Sequence, residues 1–143
     1  MTHRLNNRFK IFKYYKYIYY KILMFSKEYP FTHVPEFWAM SFISLLVLLN
    51  FQSILVLIII FTDGKIILFK NRPEQIISIV LALLINYLIF IYKKKYIEIV
   101  EEFKFEPREK KRKGNIEVLL FSIGSIVLIF LLNIIKIMVV KNH

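Results

Sequence analysis

Three long runs of apolar residues constrain the fold of this chain more than any other feature. Residues 37–61 and 76–92 contain no formal charge, and residues 116–140 form a third run that carries only Glu117 and Lys136. Helices of these lengths, at about 1.5 Å per residue, cross or nearly cross a hydrocarbon layer of roughly 30 Å. The sequence therefore predicts an all-α integral membrane protein with three transmembrane helices.

The composition supports the same fold class. Hydrophobic residues make up 57% of the 143 residues, yet the formal net charge is +11. A water-soluble domain of this size rarely combines the two, whereas a membrane protein keeps apolar residues in the spans and charges between them. The chain contains no cysteine, which excludes a disulfide framework, and three glycines are too few for a Gly-rich phosphate loop.

The N-terminal segment, residues 1–29, is predicted to form a basic, aromatic amphipathic helix ahead of a membrane domain over residues 30–143. One face of this helix carries an apolar, tyrosine-rich stripe. The opposite face carries three lysines, namely Lys10, Lys13 and Lys21. This pattern favours a helix lying in the lipid headgroup layer with its cations near anionic lipid. The alternative is a helix that packs on other protein and keeps its lysine face solvated.

Turn and helix-breaking residues predict where the helices end. Prolines at 30 and 35 separate the N-terminal helix from the first span, and Pro107 interrupts a helix that continues beyond the second span. Asp63 and Gly64 favour a tight turn between the first two spans. Because apolar β-branched runs flank them, a short hairpin within residues 56–69 is an open alternative.

The distribution of positive charge predicts an orientation. Sixteen of the 21 lysine and arginine residues lie within residues 1–36 and 93–115. The positive-inside rule then places the N-terminus and the basic segment 93–115 in the cytoplasm, and the C-terminus outside. An excess of lysine over arginine, with abundant isoleucine and phenylalanine, is typical of AT-rich bacterial genes. We therefore expect a multi-pass protein of a bacterial inner membrane.

Polar side chains within the spans are candidates for a pore lining or for helix–helix contacts. They are Asn50, Gln52, Ser53, Asn86, Ser122, Ser125 and Asn133. An amide in hydrocarbon needs a hydrogen-bond partner, so these residues should face other helices or water rather than lipid. Contacts between helices are the favoured interpretation, and a polar path through an oligomer is the alternative.

The basic segment is the strongest electrostatic feature of the chain. Its eight cations are Lys93, Lys94, Lys95, Arg108, Lys110, Lys111, Arg112 and Lys113. Cations beside the ends of spans fix topology and attract anionic lipid. The same surface is a candidate docking site for an acidic nucleotide, an oligonucleotide or an acidic protein.

No residue pattern points to catalysis. His3, His33 and His143 are isolated, so no metal site is predicted, and no cofactor motif is present. The glutamates of residues 98–106 have the pattern of a solvated face paired with nearby lysines at i,i+4. The chain is therefore predicted not to be an enzyme.

A compact chain with a basic cytoplasmic face and few spans resembles the membrane effectors of bacterial anti-phage systems, which oligomerise and permeabilise the inner membrane. This resemblance is one of architecture and implies a homo-oligomeric pore or membrane-perturbing effector controlled through the basic face. The alternative is a non-conducting accessory, immunity or anchoring subunit that binds a partner protein.

Overall fold

The structure, a computed structural model, describes residues 2–28, 33–62, 65 and 71–141, and these residues contain helices but no strands. The α-helices are α1 (Thr2–Glu28), α2 (Pro35–Phe61), α3 (Arg72–Asn86), α4 (Lys95–Phe103) and α5 (Arg108–Lys141). A π-helical turn, Tyr87–Ile91, and a 3-10 turn, Tyr92–Lys94, join α3 to α4.

Three of these helical segments are long and apolar enough to cross a membrane: Pro35–Phe61, Arg72–Phe103 and Arg108–Val139. They contain the three predicted spans, each helix beginning before the apolar run that it contains. The second segment differs most from its prediction, because it extends past residue 92 through the two short turns into α4, with a break in the helical backbone at Lys93 and Lys94.

Pro35 and Pro107 lie where the sequence predicted a helix to begin or to be interrupted, whereas Pro30 lies outside the described residues. Pro35 occupies the first turn of α2, where its missing N–H costs no hydrogen bond, and Glu36 adds an acidic side chain at the positive end of the helix dipole. Pro73 has the same place in α3. Pro107 lies between α4 and α5. Residues 56–61 are helical, which excludes them from a hairpin, and residues 63–64 and 66–69 lie outside the described residues.

Helix α2 is the centre of the arrangement and packs against α1, α3 and α5. The chain runs down α2, back along α3 and down again along α5, so the start of α2, the end of α3 and the start of α5 meet at one end of the bundle. Helix α1 packs there, against α2, α4 and α5. We call this region the basic end and define it as residues 10–28, 35–42 and 86–115.

Away from the basic end, the long helices expose much of their apolar surface. Helix α5 buries one stripe, which includes Val118, Ser125 and Leu132. Its other faces stay open, and Leu120 and Phe130 are 64% and 67% exposed. A helix that is apolar all round but covered on one side only is suited to an apolar solvent.

Candidate functional site

Helix α1 is enclosed over two turns at the basic end. The seven consecutive residues from Tyr17 to Leu23 are each at most 8% exposed. Tyr19 stacks on Phe90 with 4.1 Å between ring centroids, and its hydroxyl donates to the Glu36 carbonyl at 3.3 Å. Over these turns the structure shows the alternative in which α1 packs on protein, and not the favoured one in which it lies on lipid.

Lys21 forms a buried ion pair with Glu106. Lys21 Nζ lies 2.5 Å from Glu106 Oε2, and the two side chains are 4% and 5% exposed. Nζ also donates to the Lys111 carbonyl at 3.2 Å, while the Tyr17 hydroxyl donates to Glu106 Oε1. A buried pair is tolerated only when further hydrogen bonds of this kind complete its coordination. The prediction that Lys21 belongs to an open lysine face was therefore wrong.

Gly114 makes the ion pair sterically feasible. A Cβ atom at this position would lie 2.7 Å from Tyr17 Cζ and 2.9 Å from Lys21 Cε, and closer still to the Tyr17 hydroxyl. The side chains of Tyr17 and Lys21 can therefore pack against α5 at this position only because residue 114 is glycine. Burial raises the pKa of Tyr17, and the hydrogen bond to Glu106 raises it further. The Tyr17 hydroxyl consequently stays protonated and serves as a donor.

The remaining lysines of α1 have open surroundings. Lys13 and Lys16 lie 3.5 Å and 3.6 Å from the two carboxylate oxygens of Glu102, and the Lys13 side chain is 66% exposed. Lys10 is exposed as well. Glu102 and Glu106 thus pair with a distant helix, which corrects the predicted i,i+4 pairing for these two glutamates. The placement of Lys10 and Lys13 near anionic lipid stays a prediction.

Asn86 joins three helices through its side chain. Its amide nitrogen donates to Ser44 Oγ of α2 at 2.9 Å and to the Ala82 carbonyl at 3.0 Å. Its oxygen accepts from the Tyr15 hydroxyl of α1. Burial raises the pKa of Tyr15 to about 12, so its hydroxyl also remains a donor. Asn86 is 3% exposed and has the partners that an amide in an apolar core needs.

Asn50 makes the second link between helices. Its amide donates to Ser125 Oγ of α5 and to the Leu46 carbonyl, both at 2.8 Å. Ser125 in turn donates to the Phe121 carbonyl of its own helix. The structure therefore brings Asn50 and Ser125 together, and it pairs Asn86 with residues that the sequence did not single out.

The other span candidates do not bond across helices. Ser53 and Ser122 are buried, and each donates to a carbonyl four residues earlier in its own helix. Asn133 does the same with Ile129 and is half-buried. Gln52 is exposed on α2, and no hydrogen bond joins its side-chain amide to another described residue. Among the predicted amides of the spans, Gln52 is thus the one whose side chain is available for a hydrogen bond outside the single chain.

The segment between α3 and α4 carries two of the predicted cations on an unusual backbone, and a third, Lys95, begins α4. Lys93 and Lys94 have φ angles of 55° and 57°, in the left-handed region. This conformation costs a non-glycine residue free energy and must be held by its surroundings. Lys95 Nζ donates to the Leu88 carbonyl at 3.1 Å, in the π-helical turn. The bend directs α4 onto α1, where Phe103 packs against Tyr17.

Seven of the eight predicted cations are exposed at the basic end, and Lys95 is half-buried. The exposed ones are Lys93, Lys94, Arg108, Lys110, Lys111, Arg112 and Lys113. We call these seven side chains the basic face. Their positive charge is open to a ligand, whereas the charge of Lys21 is neutralised inside the protein.

Four residues on which the basic end depends were not among the site residues predicted from the sequence: Tyr17, Ser44, Glu106 and Gly114. One signal was present for Tyr17, because tyrosines occur on every side of α1 between residues 14 and 20. A helix with aromatic residues all round is buried rather than amphipathic. Ser44, Glu106 and Gly114 differ in no local way from other serines, glutamates and glycines.

No family model, curated protein or solved structure matches this chain. Among the described residues, no group of three histidine, aspartate or glutamate side chains is placed to hold a metal ion. The basic face and the exposed Gln52 are therefore the features from which a function can be inferred.

Proposed function

We propose that this chain is a multi-pass membrane protein that acts as an anchoring or accessory subunit and binds an acidic partner protein through its basic face. The observation that carries this proposal is the exposure of seven cations at one end of the bundle. Like-signed charges gathered on one surface attract an oppositely charged partner and steer its approach.

The hydrogen bonds of the span amides support a non-conducting role for the single chain. The side-chain amides of Asn50 and Asn86 form hydrogen bonds to other helices of the bundle. Turning either one toward a water path would break these bonds between helices, and turning Asn86 would also remove the acceptor of the Tyr15 hydroxyl. The seven cations then remain as the principal open polar feature.

A homo-oligomeric pore or membrane-perturbing effector is the second candidate function, and Gln52 favours it. An exposed amide within a long apolar helix requires a partner when lipid surrounds the helix. A second copy, or water in a pore between copies, would supply that partner. This candidate is the function that the resemblance to anti-phage membrane effectors implies.

One reconstitution distinguishes the two functions. The purified protein is placed in anionic liposomes, and ion flux and oligomer mass are measured on the same sample. The accessory role predicts tight vesicles that contain monomers, harmless expression, and co-purification of a partner that is lost when Lys110, Lys111, Arg112 and Lys113 are changed to Gln. Flux from a defined oligomer, abolished by Gln52→Leu but not by Asn133→Leu, would overturn it in favour of the pore.

Orientation is tested with introduced cysteines, since the chain has none of its own. We propose that the basic end faces the cytoplasm, as the positive-inside rule predicts. In intact bacterial cells, a membrane-impermeant thiol reagent should label Lys65→Cys and should label Lys110→Cys only after the membrane is opened. The reverse labelling pattern would contradict the proposed orientation.

A further inference from the structure

A cavity of about 410 Å³ lies at the basic end between α1, α2 and α5. Its volume falls within the range of small-molecule binding pockets. Much of the lining is apolar, with Trp38 and Phe42 from α2, Met24 from α1, and Val118 and Leu119 from α5. Trp38 and Phe42 stack on each other with 5.3 Å between ring centroids.

A second, shallower depression adjoins this cavity. It is lined by Arg108, Lys111, Arg112, Asn115 and Ile116 of α5, and Lys111 and Asn115 line both hollows. Three cations therefore lie beside an apolar cavity, and Lys111 and Asn115 separate the two hollows. The apolar chamber also contains Glu28, which is exposed, and Lys21, whose charge is already paired with Glu106.

The two hollows together match an amphiphile with an anionic head and a hydrocarbon tail. Arginine and lysine side chains bind phosphate oxygens, and the Asn115 amide can add a neutral donor. The aromatic and aliphatic walls bury an acyl chain. The cavity extends along α5 from Lys111 to Ser122, that is, from the charged part of the helix into its apolar part.

We propose that this composite hollow binds one anionic phospholipid, with the headgroup phosphate on Arg108, Lys111 and Arg112 and an acyl chain against Trp38 and Phe42. The inference goes beyond the proposed partner binding and rests only on the membrane location. A site of this kind holds a single lipid in a fixed place, in contrast to the diffuse attraction that any exposed cation exerts.

Trp38 provides the measurement, because it is the only tryptophan of the chain and lines the cavity. The full chain is reconstituted in phosphatidylcholine vesicles that contain a rising fraction of phosphatidylglycerol with brominated acyl chains. Bromine quenches tryptophan fluorescence on contact. We expect quenching that saturates at a low fraction of the brominated anionic lipid, and much weaker quenching by equally brominated phosphatidylcholine.

Two double variants separate a built site from diffuse charge. Lys111→Gln with Arg112→Gln should weaken the preference for the anionic lipid about thirtyfold, which corresponds to the loss of two cations at about 1 kcal/mol each. Lys110→Gln with Lys113→Gln removes the same charge from the same helix but from side chains that line neither hollow. This control removes only the diffuse attraction of surface cations and should therefore weaken the preference by a much smaller factor than Lys111→Gln with Arg112→Gln.

A third variant tests the chamber, since Leu119→Trp would fill it; for that variant, lipid retention is read by native mass spectrometry instead of fluorescence. We expect the retained lipid to be lost. Equal weakening by both double variants, unchanged retention in Leu119→Trp, or reversal of the quenching by millimolar inorganic phosphate would each overturn the proposal. A failure here leaves the test of partner binding unaffected, because that test reads flux and co-purification.

Discussion

Helix α1 and the carboxyl-terminal half of α5 show opposite relations between polarity and burial. Residues 17–23 of α1 include three tyrosines and a lysine, yet all seven are at most 8% exposed. The carboxyl-terminal half of α5 is mostly aliphatic and aromatic, yet Ile137 is 64% exposed and Phe130 is 67% exposed. In a water-soluble protein, the more apolar helix would be the buried one.

The difference teaches what holds this fold together. When lipid covers apolar surface, aliphatic side chains gain little by packing on protein, and groups that need hydrogen bonds must be collected inside. Every buried side-chain nitrogen or oxygen among the described residues has such a partner. The inversion supports the proposed membrane location, and it makes α1 the structural centre of the basic end.

The sharpest way to break this comparison is to remove one member of the buried ion pair. Lys21→Met leaves the Glu106 carboxylate buried without its cation and should lower the free energy of unfolding by about 3–5 kcal/mol. Unfolding in detergent micelles, followed by helix content, measures the loss. Adding Glu106→Leu to Lys21→Met should recover most of it, because a buried pair replaced by apolar side chains costs little.

The matched control for the ion pair is Lys13→Met, which removes a lysine with a largely exposed side chain from Glu102. Its effect should stay within about 1 kcal/mol, as for other surface pairs. Equal losses from Lys21→Met and Lys13→Met would show that α1 does not pack as the structure has it.

Two leucines compare the packing of α1 and α5 directly. Leu23 is fully buried and Leu120 is 64% exposed. Leu23→Ala leaves a cavity among packed side chains and should cost about 2–5 kcal/mol. Leu120→Ala should cost less than about 1 kcal/mol, because little protein packing is lost there. The same unfolding measurement serves for both, and a larger effect of Leu120→Ala would mean that a protein surface covers this face of α5.

Two glycines of α5 sharpen the comparison along one helix. A Cβ at Gly114 meets Tyr17 and Lys21, whereas a Cβ at Gly124 meets nothing within 4 Å. Gly114→Ala should therefore destabilise the fold by about 1–3 kcal/mol through overpacking. Gly124→Ala should raise stability by up to about 1 kcal/mol, through the higher helix propensity of alanine. Loss of stability in both variants, by similar amounts, would contradict the close approach at Gly114.

The sequence predicted the parts of this fold that depend on local pattern. Apolar runs and prolines were sufficient for the three long helices and their starts, because length and the lack of a proline N–H act within one segment. Asn50 and Ser125 were predicted as candidates for a helix contact or a pore lining, and in the structure they are hydrogen-bonded to each other.

The basic end was harder to predict because it depends on pairs distant in sequence. Lys21 and Glu106 are 85 residues apart, and nothing near either residue identifies the other. On the helical wheel Lys21 groups with Lys10 and Lys13, and it is buried only because α4 and the start of α5 fold across it. The sequence gives no sign of the bend at Lys93 and Lys94 either, since glycine and asparagine, rather than lysine, favour the left-handed region.

The smallest expected effect compares two asparagines within the long helices. Asn86 bonds to α1 and α2, while Asn133 bonds to Ile129 of its own helix. Asn86→Leu removes both interhelical bonds and should cost about 1–2 kcal/mol, in the range of hydrogen bonds between membrane helices. Asn133→Leu loses only a bond to its own backbone and should change stability by less than about 0.5 kcal/mol.

Tyr15→Phe removes one of the Asn86 bonds, so its effect should be smaller when combined with Asn86→Leu than alone. Additive effects of the two changes would show that the hydrogen bond between Tyr15 of α1 and Asn86 of α3 does not form. The buried helix α1 would then have no hydrogen bond to α3 through Asn86.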